Sequence, residues 1–263
     1  MKKITLLAVL GVLGILCAQN VPAAETVRAE GRYTSTTLTD LHPFTSLEVN
    51  GDVKVTLRQL PTQTVTVSGR ANLVALANIR VENDTLRIEY KRPIHIRGKD
   101  TLHVSVFMPQ INALTARREG SIHVYGAVNT PELILTATDK GNIDIDGLTA
   151  DTVRVQAMKE AEIDVEKLNT QILDATQSDK AQLDFSGYAE NAQLVNNGRK
   201  DIEADTLRIN HAHVAVNGHG DVEVFAVKTL KASANGSGEI KYHGAPVLTW
   251  EGNSHKIKPV FED

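Results

Sequence analysis

Between residues 120 and 242 the chain repeats a five-residue unit seven times, and no other feature restricts its fold as strongly. Each unit is a small or polar residue followed by x-apolar-x-apolar. The copies are GSIHV from Gly120, GNIDI from Gly141, AEIDV from Ala161, AQLDF from Ala181, KDIEA from Lys200, GDVEV from Gly220 and GEIKY from Gly238. Successive starts lie 21, 20, 20, 19, 20 and 18 residues apart. Alternation inside a unit sends every second side chain to one side of a strand. A helix does not return such pairs at a fixed spacing near 20 residues; stacked strand coils do.

Aligned on the first residue, the units define columns. The third and fifth positions are Ile122/Val124, Ile143/Ile145, Ile163/Val165, Leu183/Phe185, Ile202/Ala204, Val222/Val224 and Ile240/Tyr242. A second set precedes the next start: Leu133/Leu135, Val153/Val155, Leu173/Ala175, Ala192/Leu194, Ala212/Val214 and Leu230/Ala232. Leu148, Leu168, Tyr188, Leu207 and Val227 form a further column. The columns predict an all-β, single parallel β-solenoid of about 20-residue coils, with two short strands per coil and corners at small, Asn or Gly residues. One coil cannot bury its own apolar side, so the stack needs several coils and a cap at each end. At a strand separation of about 4.8 Å, seven coils make a rod on the order of 30 Å long. Asn197, Asn217 and Asn235 share a corner column, where stacked amides bond along the axis.

The flanks follow from the same patterning. Lys2 and Lys3, an apolar run from Ile4 to Leu16 and small residues at Val21-Pro22-Ala23-Ala24 have the layout of a signal peptide over residues 1–24. Cys17 is the only cysteine, and Leu16 before it disfavours processing as a lipoprotein. The mature chain then reaches a disulfide-permissive space, periplasmic or outside the cell, without disulfides and with no transmembrane span. Residues 25–43 read as a polar lead-in open to motion, and 259–263 as a tail. Alternation begins at Phe44. Asn72 to Ala77 is the one candidate short helix, Asn83-Asp84 a hairpin turn, and the basic run Lys91, Arg92, Arg97 and Lys99 a solvated loop. Gly51-Asp52-Val53-Lys54-Val55 matches the repeat unit, so residues 44–258 read as one domain with an amino-terminal β cap region. The segment after Gly244, with the only Trp, Trp250, reads as the carboxy-terminal cap.

A formal net charge of −4 argues against nucleic acid as the partner. The acids, however, are placed unevenly. The outward fourth position reads His123, Asp144, Asp164, Asp184, Glu203, Glu223 and Lys241, and Asp146, Glu166 and Asp205 follow two residues on. Like charges one strand apart repel by about 1 kcal/mol per pair in water. Two readings stand: Lys140, Lys180, Arg199 and Lys200 at the adjoining corner screen the ladder together with salt, or cations such as calcium, or a basic partner, occupy it. The first is preferred. The candidate metal residues are therefore Asp144, Asp164, Asp184, Glu203 and Glu223, and no other cofactor is expected. His211 and His213 share an outward side with His219 nearby; a surface pair is preferred over a metal clip because no third ligand is evident. No G-x-S-x-G, H-E-x-x-H, phosphate-cradling glycine loop or Cys nucleophile is present, which favours a non-enzymatic protein.

The order FTSLEVNGDVKVTLRQ, TLRIEYKR, LHVSVFMPQINALTARREGSIHVYG and then repeated G-x-I-x-V units resembles the bacterial head GIN domain family, over roughly residues 44–258. Those proteins are described as exported auto-transporter adhesins. The resemblance implies an exported all-β solenoid acting as an adhesin or as a binding or structural module of the cell envelope, with an envelope or extracellular protein or glycan as partner. Acid clusters on parallel β-helices also resemble those of pectate lyases, so the alternative is a calcium-assisted polysaccharide-binding or polysaccharide-cleaving β-helix. Short uniform coils leave little wall for a cleft, which favours binding. Self-association through the open ends of the rod is a further expectation.

Overall fold

The computed structural model of the chain describes residues 24–261. The expected signal peptide lies outside them, except for Ala24. The amino-terminal strands are β1 (Glu25–Arg28), β2 (Tyr33–Leu38), β3 (Ser46–Asn50), β4 (Val53–Gln59) and β5 (Thr64–Arg70). A short helix, α1 (Ala71–Leu76), leads into β6 (Ala77–Glu82), β7 (Thr85–Tyr90), β8 (Ile94–Arg97) and β9 (Leu102–Met108). The stack continues through β10 (Ala113–Arg117), β11 (Ser121–Thr138), β12 (Asn142–Met158), β13 (Glu162–Asp179), β14 (Gln182–Gly198), β15 (Ile202–Val216) and β16 (Val222–Ala234). It ends in β17 (Ile240–His243), β18 (Val247–Gly252) and β19 (Ile257–Pro259).

From β10 to β19 every pairing is parallel, as a solenoid requires. The repeat columns are the register: Ile143 lies beside Ile163, Ile145 beside Val165, Val153 beside Leu173 and Val155 beside Ala175. All these residues are buried and form one continuous core. The corner amides stack as the sequence implies, with Asn217 Nδ2 donating to Asn197 Oδ1 at 2.9 Å and Asn235 Nδ2 to Asn217 Oδ1 at 3.3 Å.

Two expectations about the coil are corrected. Each coil has three inward runs, not two. Along β13 the inward sets are Ile163/Val165, Leu168/Thr170 and Leu173/Ala175/Gln177, separated by outward neighbours at Glu166-Lys167 and Gln171-Ile172. The middle run pairs the Leu148 and Leu168 column with small or polar residues, Ala150 and Thr170, and so does not stand out as a strand of its own. Thr170 turns inward with its hydroxyl donating to the carbonyls of Asp151 and Ile172. The column of Leu148 and Leu168 also slips in later coils. Gly187, not Tyr188, stands beside Leu168, so Ala189 is buried and Tyr188 lies outside against Asn169 and Arg208. In β16 it is Ala226, not Val227, that is buried, beside Ile209.

The amino-terminal part shares the core. The coil of β3 and β4 is held between β10 and β11 on one side and β7 and β9 on the other, all in parallel. The Gly51 copy of the motif sits two residues from its motif alignment, with Val55 beside Ile122 and Leu57 beside Val124. An even shift keeps the same residues inside. Residues 25–43 are not a free lead-in: β2 runs antiparallel on β5 and β1 parallel on β8. The basic run around Pro93 is likewise not simply a loop, since Ile94–Arg97 is the strand β8 and Arg92 pairs with Glu25 at 3.0 Å. Asn83 and Asp84 take positive φ, 50° and 57°, in the two-residue turn between antiparallel β6 and β7. The carboxy-terminal cap is one more partial coil, β18 on β16 and β19 on β17.

Candidate functional site

Parallel register turns the outward fourth positions into a physical column. Along it run Thr56, His123, Asp144, Asp164, Asp184, Glu203, Glu223, Lys241 and Lys258, each beside the next on adjacent strands. Five carboxylates therefore sit one strand apart on one side of the rod.

The two ends of the column are neutralised. His123 Nε2 lies 3.0 Å from Asp146, its ring stacks on Tyr125 at 3.9 Å, and the Gly126 amide donates to the other Asp146 oxygen at 3.0 Å. That amide, with His123, holds the Asp146 carboxyl below the usual range. At the far end Lys241 pairs with Asp221 at 2.9 Å, Lys258 with Glu239 at 2.6 Å and His243 with Glu223 at 3.0 Å. Between them Asp144, Asp164, Asp184 and Glu203 make no ion pair among the described residues.

The corner lysines proposed to screen them are engaged elsewhere. Lys180 pairs with Glu160 at 3.3 Å, Lys140 faces Glu119 at 3.9 Å, and Lys200 donates to the Gln182 side chain at 3.2 Å. Lys140 and Lys180 are thus paired with corner acids, Lys200 and Arg199 make no ion pair among the described residues, and none of the four forms a direct ion pair with the ladder.

Burial then raises the acids, because a half-buried carboxylate loses hydration. Asp164 is pushed up to about 6 by burial, with repulsion from Asp184 and Asp144 added. Asp144 and Asp184 are raised mainly by burial too, and Glu203 by burial and then by Asp184. Asp164 binds its proton more tightly folded than unfolded, so its contribution favours folding fully below about pH 4 and is lost as pH rises through about 6. Acidification from pH 7.5 to 5.5 is therefore expected to raise the thermal midpoint. Asp164→Asn should raise it at pH 7.5 and flatten the pH response. Solvent screening reduces the effect to about 1 kcal/mol, or about 2–4 °C. A variant that melts lower than the parent at pH 7.5 would contradict this.

The histidines fall in different places. His211 Nδ1 lies 2.9 Å from the Thr229 hydroxyl, and His219 meets Ser237. His213 stands between Gln193 and Lys231, and among the described residues the two histidines do not gather with a third ligand. His243, which sequence reasoning did not single out, instead converges with Asp205 and Glu223, their ligand atoms all within 4.8 Å of one another. A hollow of about 550 Å³ lies among residues such as Asn50, Tyr90, Arg92 and Arg118, and no ladder carboxylate lines it.

These features define a repeat-built β-solenoid with one strongly acidic side. The chain belongs to the family described as "Putative auto-transporter adhesin, head GIN domain", whose model matches residues 43–246. It is similar to a solved "putative adhesin" of Parabacteroides distasonis ATCC 8503, at 21% identity and a TM-score of 0.83 over 90% of this chain and 100% of that one. A "putative adhesin" of Parabacteroides merdae ATCC 43184 gives 18%, 0.79 and the same coverage. A "putative lipid binding protein" of P. distasonis ATCC 8503 gives 17%, 0.80 and the same coverage. Likeness at these identities concerns the fold. No curated protein matches the chain. No described helix is long and apolar enough to cross a membrane.

Proposed function

We propose that the chain is an exported, non-enzymatic binding module of the cell envelope that engages a basic partner surface with its acidic side. The observation that carries this is the column Asp144, Asp164, Asp184 and Glu203, in register and without ion pairs among the described residues, while the corner cations Lys140 and Lys180 pair with Glu119 and Glu160 instead. A repulsive surface of this kind disfavours the free state and attracts positive charge, so it steers and holds a complementary partner.

Retention on a surface coated with a lysine-rich peptide tests it. At about 0.15 M salt the chain should bind, and a D144N/D164N/D184N variant should lose at least ~10-fold in affinity. Equal binding by the two would move the partner surface elsewhere. The exported setting is tested by fractionation with mass spectrometry of the amino terminus, which should find the chain outside the cytoplasm and lacking residues 1–24.

The calcium-assisted alternative predicts a different result. Calcium takes six to eight oxygen ligands. Among the described residues the carboxylates of Asp144, Asp164 and Asp184 do not gather in a group of three. Millimolar calcium is accordingly expected to leave the thermal midpoint unmoved. A clear rise, or unsaturated products from acidic polysaccharides, would favour the alternative.

A further inference from the structure

We infer that Asp205, Glu223 and His243 form a binding site for a divalent first-row transition ion, zinc being the reference case. The site takes Glu223 from the end of the acidic column but uses none of Asp144, Asp164, Asp184 and Glu203, so it does not depend on their binding role. Three successive coils each contribute one ligand, a carboxylate from β15, a carboxylate from β16 and an imidazole from β17, and the three ligand atoms all lie within 4.8 Å of one another.

The donor set selects the metal. Two carboxylates with one imidazole suit zinc and its neighbours in tetrahedral or open geometry, whereas calcium takes oxygen ligands alone. Zinc–ligand bonds of about 2.0–2.2 Å place tetrahedral ligands roughly 3.3–3.6 Å apart. One edge of that triangle is already closed, since His243 Nε2 and Glu223 Oε1 are 3.0 Å apart. The Asp205 carboxylate, within 4.8 Å of both, would have to move up to about 1.5 Å closer on metal binding.

The local fold arranges these residues in a way that simple stacking would not. In the register, Glu223 faces Lys241 and Phe225 faces His243. His243 nevertheless reaches back to Glu223, its side chain only 14% exposed and its ring nearly parallel to that of Phe225, at 9°. Asp205 lies where β15 and β16 lose register between Ala204 and Arg208. Irregularities of this type re-aim a side chain, and here the one re-aimed is an acid. The nearby cations are placed elsewhere. Lys241 is bound to Asp221, and Arg208 rests over the Phe225 ring at 4.5 Å. Asp205 makes no ion pair among the described residues.

Calorimetric titration of the mature chain with zinc at neutral pH tests the site. One ion per chain should bind, and the same zinc should raise the thermal midpoint, because an ion that joins three coils binds only the folded stack. His243→Ala and Asp205→Asn should each weaken binding by at least ~10-fold. Asp205→Asn is the safer variant, since no described hydrogen bond depends on that carboxylate. His211→Ala/His213→Ala should bind as the parent does. The site is overturned by an absence of saturable binding up to about 100 μM zinc, or by binding that survives His243→Ala and Asp205→Asn.

Discussion

Replacing Phe185 with alanine is expected to lower stability by about 3–5 kcal/mol, measured by urea unfolding of the otherwise intact chain. Phe185 is the largest fully buried side chain among the described residues. Its ring sits in the inner column beside Val165, and the next coil offers only Ala204 at the equivalent place, one residue beyond the Asp184–Glu203 pair. The large ring is thus accommodated by a small neighbour. Truncation leaves a void that Ala204 cannot fill, so both the transfer and cavity contributions are lost. Because coils contact only their neighbours, the loss should be local: amide exchange should accelerate first in β13, β14 and β15. A loss below about 1 kcal/mol would mean that the inner column is not close-packed at this level.

Gly187→Ala is the second large effect. Gly187 has φ +120°, which L side chains rarely adopt, and a Cβ there would fall 2.2 Å from the Leu168 carbonyl oxygen and 2.6 Å from its nitrogen. Backbone strain of about 1–3 kcal/mol and overpacking of about 1–3 kcal/mol add to roughly 2–6 kcal/mol. Gly126→Ala separates the two causes. Its φ is +82° but nothing lies within 4 Å of the added carbon, so it should cost strain alone. Equal losses for the two variants would remove the close approach at Leu168 as the cause. The same close approach explains the register slip that puts Tyr188 outside: the coil is shortened at a corner where only a residue without a side chain fits.

Much of this was readable from residue spacing. Period-two pairs recurring near every 20 residues place Ile143, Ile163 and Leu183 in one buried column, and they do lie side by side. The outward column of acids is equally a matter of counting, since side chains between inward residues must point out. The middle run of each coil was only half readable: Leu148 and Leu168 stand out as a column, but Ala150, Thr170 and Ala189 carry too little apolar surface to mark a third inward run. The slip at Gly187 was not readable, because it depends on how near two backbones come.

Counting along the chain suffices for the stack because each coil repeats the same local rule and packs on a copy of itself. Contacts that break the repeat follow a different logic. The insertion of β3 and β4 between strands that come later in sequence joins residues far from the repeat spacing. The pairing of Lys180 with Glu160 and the convergence of Asp205, Glu223 and His243 lie near that spacing but depend on how the side chains turn. Such contacts are set by corner geometry and by which side chains are free to turn, and only the folded coils bring those together.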